Sequence, residues 1–228
     1  MKNLKAIIFG SIGTILETSD IQRKSFNKAF KKYGLNWYWS INEYKKLLIV
    51  SGGETRLSNY AKTKNIRINT LKLRNLKTKF FNNYLKKNEL KPRVGVMNII
   101  KFCKKNNIKL GFASSTSINN INSIFFALEN TIKKKDFDFI GNSKLVSKKK
   151  PYPDIYKVAL KKFGLSSKEC LAIEDTEESM KSALSAKIIC IAFPGKLHEK
   201  EKFKGSYKIT KKLINILRDK DINDLQNK

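Results

Sequence analysis

The sequence predicts an α/β fold: a doubly wound parallel sheet with a helical unit inserted after its first strand. Three observations carry this. The chain opens on a short, wholly apolar run, Ala6-Ile7-Ile8-Phe9, of the kind that forms a parallel strand buried on both faces. From residue 92 onward, short apolar runs alternate with segments of helical periodicity, the pattern of repeated βα units. Between these two parts, residues 15 to 90 carry helical patterns only.

The elements follow in order. The first strand ends at Gly10, and Gly13-Thr14 turns the chain back. Asp20 is expected to N-cap a helix in which Ile21, Ser25-Phe26 and Ala29-Phe30 recur at helical spacing, ending at Gly34. Leu35 to Trp39 leads into a second helix, Ile41 to Val50, stopped by Ser51-Gly52-Gly53. A lysine-rich helix is expected from about Leu71 to Lys87. Pro92 to Val96 starts the helix carrying Ile99, Ile100 and Phe102. Lys109-Leu110-Gly111-Phe112-Ala113 is the second strand, ending in Ser114-Ser115-Thr116-Ser117, and a helix through Phe125-Phe126 follows. Phe137-Asp138-Phe139-Ile140 is a third strand. Lys148 to Asp154 is a loop with two prolines that opens the helix Ile155 to Phe163. Cys170-Leu171-Ala172-Ile173 is a fourth strand ending in Glu174-Asp175-Thr176. A helix through Met180 and Ala183, a strand from Ile188 to Phe193, and a short helix after Thr210 complete the chain. The expected division is a core of residues 1–14 and 91–228 and a helical unit of residues 15–90.

Composition narrows the class. The 228 residues are 41% hydrophobic and 11% aromatic, enough for a packed core. No apolar run approaches the ~18 residues of a membrane span, and a strand within five residues of Met1 leaves no room for a signal peptide. Cys103, Cys170 and Cys190 lie far apart in apolar segments, which suits reduced thiols in a cytoplasmic protein. With His198 as the single histidine, a histidine-rich metal site or a Ser-His-Asp triad has little material. The formal charge of +29 predicts weak, salt-sensitive binding to polyanions. Specific nucleic-acid recognition is disfavoured, because the cations are overwhelmingly lysines scattered end to end. Arginine, the usual base reader, stands only at Arg23, Arg56, Arg67, Arg74, Arg93 and Arg218. A Lys-, Asn- and Ile-rich coding bias accounts for such a composition.

In an open parallel sheet, ligands sit outside the carboxyl ends of the strands. Three strand ends here carry chemistry: Gly10 to Thr14, Ser114-Ser115 and Glu174-Asp175, with the Lys150 loop between the last two. A Ser-Ser-Thr-Ser run at a helix start suits a phosphate cradle, and it is also ordinary capping chemistry. Glu174-Asp175 offers oxygens of the kind Mg²⁺ takes, or else a solvated helix start.

Gly-Thr after the first strand, Ser after the second, Lys-Pro and then Glu-Asp form a series that resembles the four motifs of the haloacid dehalogenase superfamily. That family's first motif reads Phe-Asp-x-Asp-Gly-Thr-Leu; its first Asp attacks phosphorus and its second serves as general acid and base. Here those positions are Gly10 and Ile12. The chain is also similar to the CbbY-type xylulose bisphosphate phosphatases, relatives of β-phosphoglucomutase. The similarity lies in Glu17-Thr18, Arg23, Phe26, Trp37-Tyr38-Trp39, Tyr44 with Leu47-Leu48, Gly52-Gly53 with Arg56, Pro92-Arg93-x-Gly95, and Lys150-Pro151-x-Pro153-Asp154-Ile155-Tyr156.

The resemblance implies a haloacid dehalogenase-like core with a helical cap closing over a sugar phosphate, and Mg²⁺ as cofactor. On that pattern Asp175 binds the metal with Glu174 beside it, and Lys150 neutralises the phosphate. Thr14, Ser114 and Ser115 hold that phosphate. Arg56 grips a second phosphate beside Gly52-Gly53, and Glu17 meets sugar hydroxyls. Departures gather at the chemistry: Gly10 offers no nucleophile, Ile12 no acid or base, and loss of a carboxylate at residue 10 weakens the metal site. Gln22, Glu54, Asn142-Ser143 and Lys187 also depart from the family pattern. The expectation is a monomeric phosphosugar-binding protein with impaired catalysis. Its rivals are a hydrolase with a relocated nucleophile and a basic polyanion-binding module.

Overall fold

The computed structural model describes residues 4–10, 12–49 and 52–218. Ser11, which the sequence turns away from the site, and the expected helix end at Val50-Ser51 lie outside the described residues. The chain divides into two compact units, one of residues up to Glu17 together with Leu90 onward, the other Thr18–Glu89. Residues 15–17 therefore belong with the sheet.

The first unit is built on a six-stranded, wholly parallel sheet. Its strands are β1 (Ala6–Phe9), β2 (Lys109–Ala113), β3 (Phe139–Gly141), β4 (Cys170–Glu174), β5 (Ile189–Ala192) and β6 (Lys208–Ile209), in the order β3-β2-β1-β4-β5-β6. All four residues of β1 and all five of β4 are buried. Their continuous apolar character thus reflects two covered faces rather than one. One face packs Ala6, Ile8, Cys170, Ala172 and Cys190 against Tyr156, Ala159 and Phe163, and against Met180 and Ala183. On the other, Phe112 meets Phe125 and Phe137 edge to face at 6.0 and 6.1 Å, a favoured arrangement of aromatic quadrupoles. The two-residue β6 has no strand-like run in the sequence; it exists because Tyr207 and Thr210 donate to Cys190 O and Ala192 O along the edge of β5.

The helices of this unit are α1 (Ile12–Ile15), α6 (Val96–Lys105), α7 (Ile118–Ala127), α8 (Asp154–Phe163), α9 (Glu177–Ser185) and α10 (Ile214–Arg218). Ser117 and Thr176 cap α7 and α9, accepting from Asn120 N and Ser179 N, which satisfies donors that a helix start leaves unpaired.

The second unit contains α2 (Ser19–Tyr33), α3 (Ile41–Leu47), α4 (Gly53–Thr63) and α5 (Thr70–Lys87). Phe26, Phe30, Trp37, Trp39, Tyr44 and Tyr60 form one aromatic cluster with centroid spacings between 4.7 and 6.1 Å. Asp20 does not cap α2. Thr18 holds the cap position, and Asp20 sits in the first turn, where it pairs with Arg23 at 2.8 Å and Lys24 at 2.8 Å. A carboxylate there also suits the positive end of the helix dipole. Helix α4 carries no clear periodic signal in the sequence. Its buried face of Leu57, Tyr60 and Ala61 is only one turn long and begins at the glycine pair that reads as a loop.

Candidate functional site

The strand order reverses direction at β1, so β1 and β4 lie side by side with connections leaving to opposite sides, the place where such sheets bind ligands. Gly10, just past β1, donates its N–H to Ile173 O at 2.9 Å. This brings it against Glu174, the last residue of β4. Lys150, in the loop before α8, donates to Gly10 O at 2.6 Å and to Glu174 Oε1 at 2.5 Å. The Tyr156 hydroxyl, in the first turn of α8, donates to the same Oε1 at 2.5 Å. Glu174 Oε2 is buried and receives no hydrogen bond among the described residues. The two charged side chains are almost sealed, at 6% and 0% exposure.

Glu174 sits where it does because residue 10 has no side chain. A Cβ at Gly10 would lie 1.9 Å from Glu174 Cδ and 2.0 and 2.2 Å from its two oxygens. Atoms of two residues cannot share that volume. Burial pushes the Glu174 carboxyl up to about 7, Lys150 opposes this, and the neighbouring Asp175 adds to it. Burial, again with Glu174, holds the Tyr156 hydroxyl well above the usual tyrosine range.

Asp175 faces the other way. Its Oδ1 accepts from Thr14 Oγ1 at 3.3 Å, and its backbone carbonyl accepts from Gly195 N at 3.2 Å. Here a second glycine is required: a Cβ at Gly13 would lie 1.9 Å from Asp175 Oδ2. Two cations feel this carboxylate. Burial lowers the Arg93 guanidinium below its usual range while Asp175 and Glu17 counter it. His198 is held above its ordinary value: burial opposes this, and Glu201 at 2.5 Å, with Asp175 and Glu17, outweighs it.

Ser114 is buried at the end of β2, and its Oγ accepts from Thr116 N at 3.3 Å. Ser115 beside it is half-buried. Ile12 opens α1 and is half-buried. Glu17 Oε2 accepts from Lys196 N at 2.7 Å, on the rim of a depression of about 400 Å³ shared with Arg93 and Phe193. Gly52, Gly53 and Arg56 belong to the helical unit. Gly52 takes φ +82° as the residue before α4, and Arg56 is buried, donating from Nε to Leu47 O at 2.8 Å beneath the Tyr44 ring.

Three residues do more than their sequence context suggests. Arg93 donates to Gly13 O, Phe193 O and Pro194 O at 2.8, 2.9 and 2.6 Å and lies 3.5 Å above the Phe193 ring. Tyr156 is the second anchor of Glu174. Lys77, among many lysines of α5, lies over the Phe26 and Phe81 rings and donates to Gln22 Oε1. Burial, with Arg56 and Arg74 nearby, pulls it down to about 7. No local signal marks Lys77 out from its exposed neighbours. Arg93 and Tyr156 do stand inside the motif-like stretches that carry the resemblance.

Mg²⁺ is a poor fit to these residues. It requires near-octahedral oxygens close to 2.0–2.1 Å, usually including one or two carboxylates. Residue 10 contributes none, and the Gly10 carbonyl and Glu174 Oε1 both hold the Lys150 ammonium. Asp175 is bonded to Thr14 and lies in the field of Arg93 and His198. Among the described residues, no group of three or more His, Cys, Asp or Glu side chains is placed to hold a metal ion. No described helix is long and apolar enough to cross a membrane.

Residues 7–193 match the model of the haloacid dehalogenase-like hydrolases. The protein CbbY of Cereibacter sphaeroides is 30% identical over 206 residues, 89% of this chain and 90% of that protein. The crystal structure of CbbY from Rhodobacter sphaeroides in complex with phosphate superposes with a TM-score of 0.83 at 28% identity, covering 93% of this chain and 96% of that one. A variant of that protein in complex with xylulose-(1,5)bisphosphate gives 0.81 at 28% identity, over 92% and 95%. The sheet order, the three strand-end stretches with the Lys150 loop, and this agreement over nearly the whole length place the chain in the haloacid dehalogenase-like hydrolase family, in its CbbY branch.

Proposed function

We propose that this chain is a cytoplasmic, monomeric sugar-phosphate-binding member of its family that has lost efficient phosphoryl transfer. One observation carries the reading: Gly10 presents no nucleophile, and the carboxylate nearest its vacated side-chain position is locked. Glu174 Oε1 accepts from both Lys150 and Tyr156, and Oε2 is buried. Ile12 supplies no proton donor. Ser114 and Ser115 hold a phosphate at the sheet edge in this reading, with Thr14 and Lys150 buried behind them, and Glu17 meets the sugar. The phosphate and xylulose bisphosphate complexes of the CbbY relative support this ligand class. Three free, buried cysteines support a reducing compartment.

Dismantled catalytic machinery elsewhere retains only about 10³–10⁴-fold acceleration over water, far short of the ~10²¹ that phosphate monoesters need. Phosphate release from a panel of sugar mono- and bisphosphates, with and without Mg²⁺, is therefore expected to stay at background. Calorimetry without metal is expected to show binding of at least one panel member. No binding at millimolar ligand would overturn the reading. The proximity of Glu174 to residue 10 favours one rival, a relocated nucleophile. Turnover by the natural chain that leaves a phosphoryl group on Glu174, and that Glu174→Gln abolishes, would establish that rival instead.

A further inference from the structure

We propose that Glu174 has taken over the volume and the charge of the side chain missing at residue 10, and that its pair with Lys150 closes this site to divalent cations. Lys150 is a buried ammonium and requires an anion beside it. In a chain with a carboxylate at residue 10, that carboxylate is available to it. In this chain Glu174 reaches across from the end of β4, with its carboxylate centred within 2.2 Å of where the residue 10 Cβ would be. Lys150 bridges Gly10 O and Glu174 Oε1, so two oxygens of this strand-end site are already spent on an ammonium. Tyr156, in the first turn of α8, fixes the same oxygen. The second carboxylate, Asp175, faces Thr14, Arg93 and His198. Each acid of the site thus has an internal cation near it; Glu174 Oε2, which accepts no bond among the described residues, is buried, and a divalent ion taken there would sit against the Lys150 ammonium on the same carboxylate.

The inference does not depend on whether a sugar phosphate binds, and the test is independent of turnover. The full chain is titrated with Mn²⁺ and free ion is read by electron paramagnetic resonance. The natural chain is expected to show no saturable uptake up to millimolar Mn²⁺. Gly10→Asp, which must expel Glu174 and adds a carboxylate, is expected to gain one saturable site, lost again on adding Asp175→Asn. Should Gly10→Asp fold poorly, the Gly10→Asp, Glu174→Ala pair restores the acid without the overlap and is expected to gain the same site. Gly10→Ala tests the placement alone: it should lower the melting temperature without Mn²⁺ uptake, and Glu174→Ala should cost less in that chain than in the natural one, because the added methyl group has already displaced the Glu174 carboxylate. One tight Mn²⁺ in the natural chain that Asp175→Asn removes would overturn the proposal. So would a Gly10→Ala chain as stable as the natural one. Calorimetry of sugar phosphates in the presence of a chelator reports separately on ligand binding.

Discussion

Arg93→Met removes the clamp that ties the first strand's turn to the end of β5. The guanidinium donates to three backbone carbonyls, Gly13 O, Phe193 O and Pro194 O, and stacks at 3.5 Å on the Phe193 ring. A hydrogen bond from a charged donor contributes about 1.5–3 kcal/mol, and a cation–π contact about 0.5–2 kcal/mol. Arg93 is half-buried, so water can reach part of what the substitution exposes, and Met recovers some of the packing against Phe193. At the low end the three bonds sum to about 4.5 kcal/mol; with water and the Met side chain offsetting part of that, a loss of about 3 kcal/mol is expected. For a chain of this size that corresponds to roughly 6–12 °C in melting temperature. Urea unfolding followed by far-UV circular dichroism measures it as a lower midpoint at an unchanged slope. Arg93→Lys separates geometry from charge: a lysine keeps the cation but cannot span three carbonyls with a planar fork, so it should recover less than half of the loss. A Met variant within about 0.5 kcal/mol of the natural chain, below the usual reach of a lost network, would refute the clamp.

Two further outcomes follow from the helical unit. The folded chain gives up the Lys77 proton near pH 7, whereas an unfolded lysine keeps it to about 10.4. The unfolded state therefore binds more protons between these values, and stability should rise as pH goes from 7 to 10, by at most ~1.4 kcal/mol per unit. Lys77→Met should flatten that rise, and an identical pH profile in both chains would contradict the assignment. Asn27 clasps the Trp39 backbone, donating to its carbonyl at 3.0 Å and accepting from its N–H at 2.8 Å. Asn27→Ala orphans the N–H and should cost about 1–2 kcal/mol. Asn27→Asp should cost less, because it keeps the acceptor while Arg23 still serves the carbonyl at 2.9 Å. Both tryptophans lie in this unit, so urea unfolding read by their fluorescence distinguishes the two variants.

Much of the fold is legible in the sequence because its signals are local. A wholly apolar β1, a five-residue β2 and the strand ending in Glu174 announce themselves by composition, and β2 is read to the residue. Elements whose existence depends on a neighbour are not legible. Lys208–Ile209 becomes a strand only by pairing with β5, and α4 hides behind a glycine pair because its buried face is short. Asp20 has the right chemistry for a cap, but it lies inside the first turn and its carboxylate is engaged by Arg23 and Lys24.

The site divides in the same way. Its residue types and their order along the chain are matters of sequence alone: Gly10 and Ile12 after the first strand, Ser114 after the second, Lys150 before a helix, Glu174-Asp175 after the fourth. So is the absence of a side chain at residue 10. What fills that absence is a tertiary matter. Lys150 and Gly10 stand 140 positions apart, and only the strand order that sets β4 against β1 brings Glu174 into the space a Cβ would need. The same proximity makes Gly13 obligatory beside Asp175 and gathers three distant carbonyls around Arg93. Periodicity reports which face of an element is buried. Which charge meets which, and hence whether a carboxylate is left for a metal or consumed by an ammonium, depends on contacts between elements that no local pattern encodes.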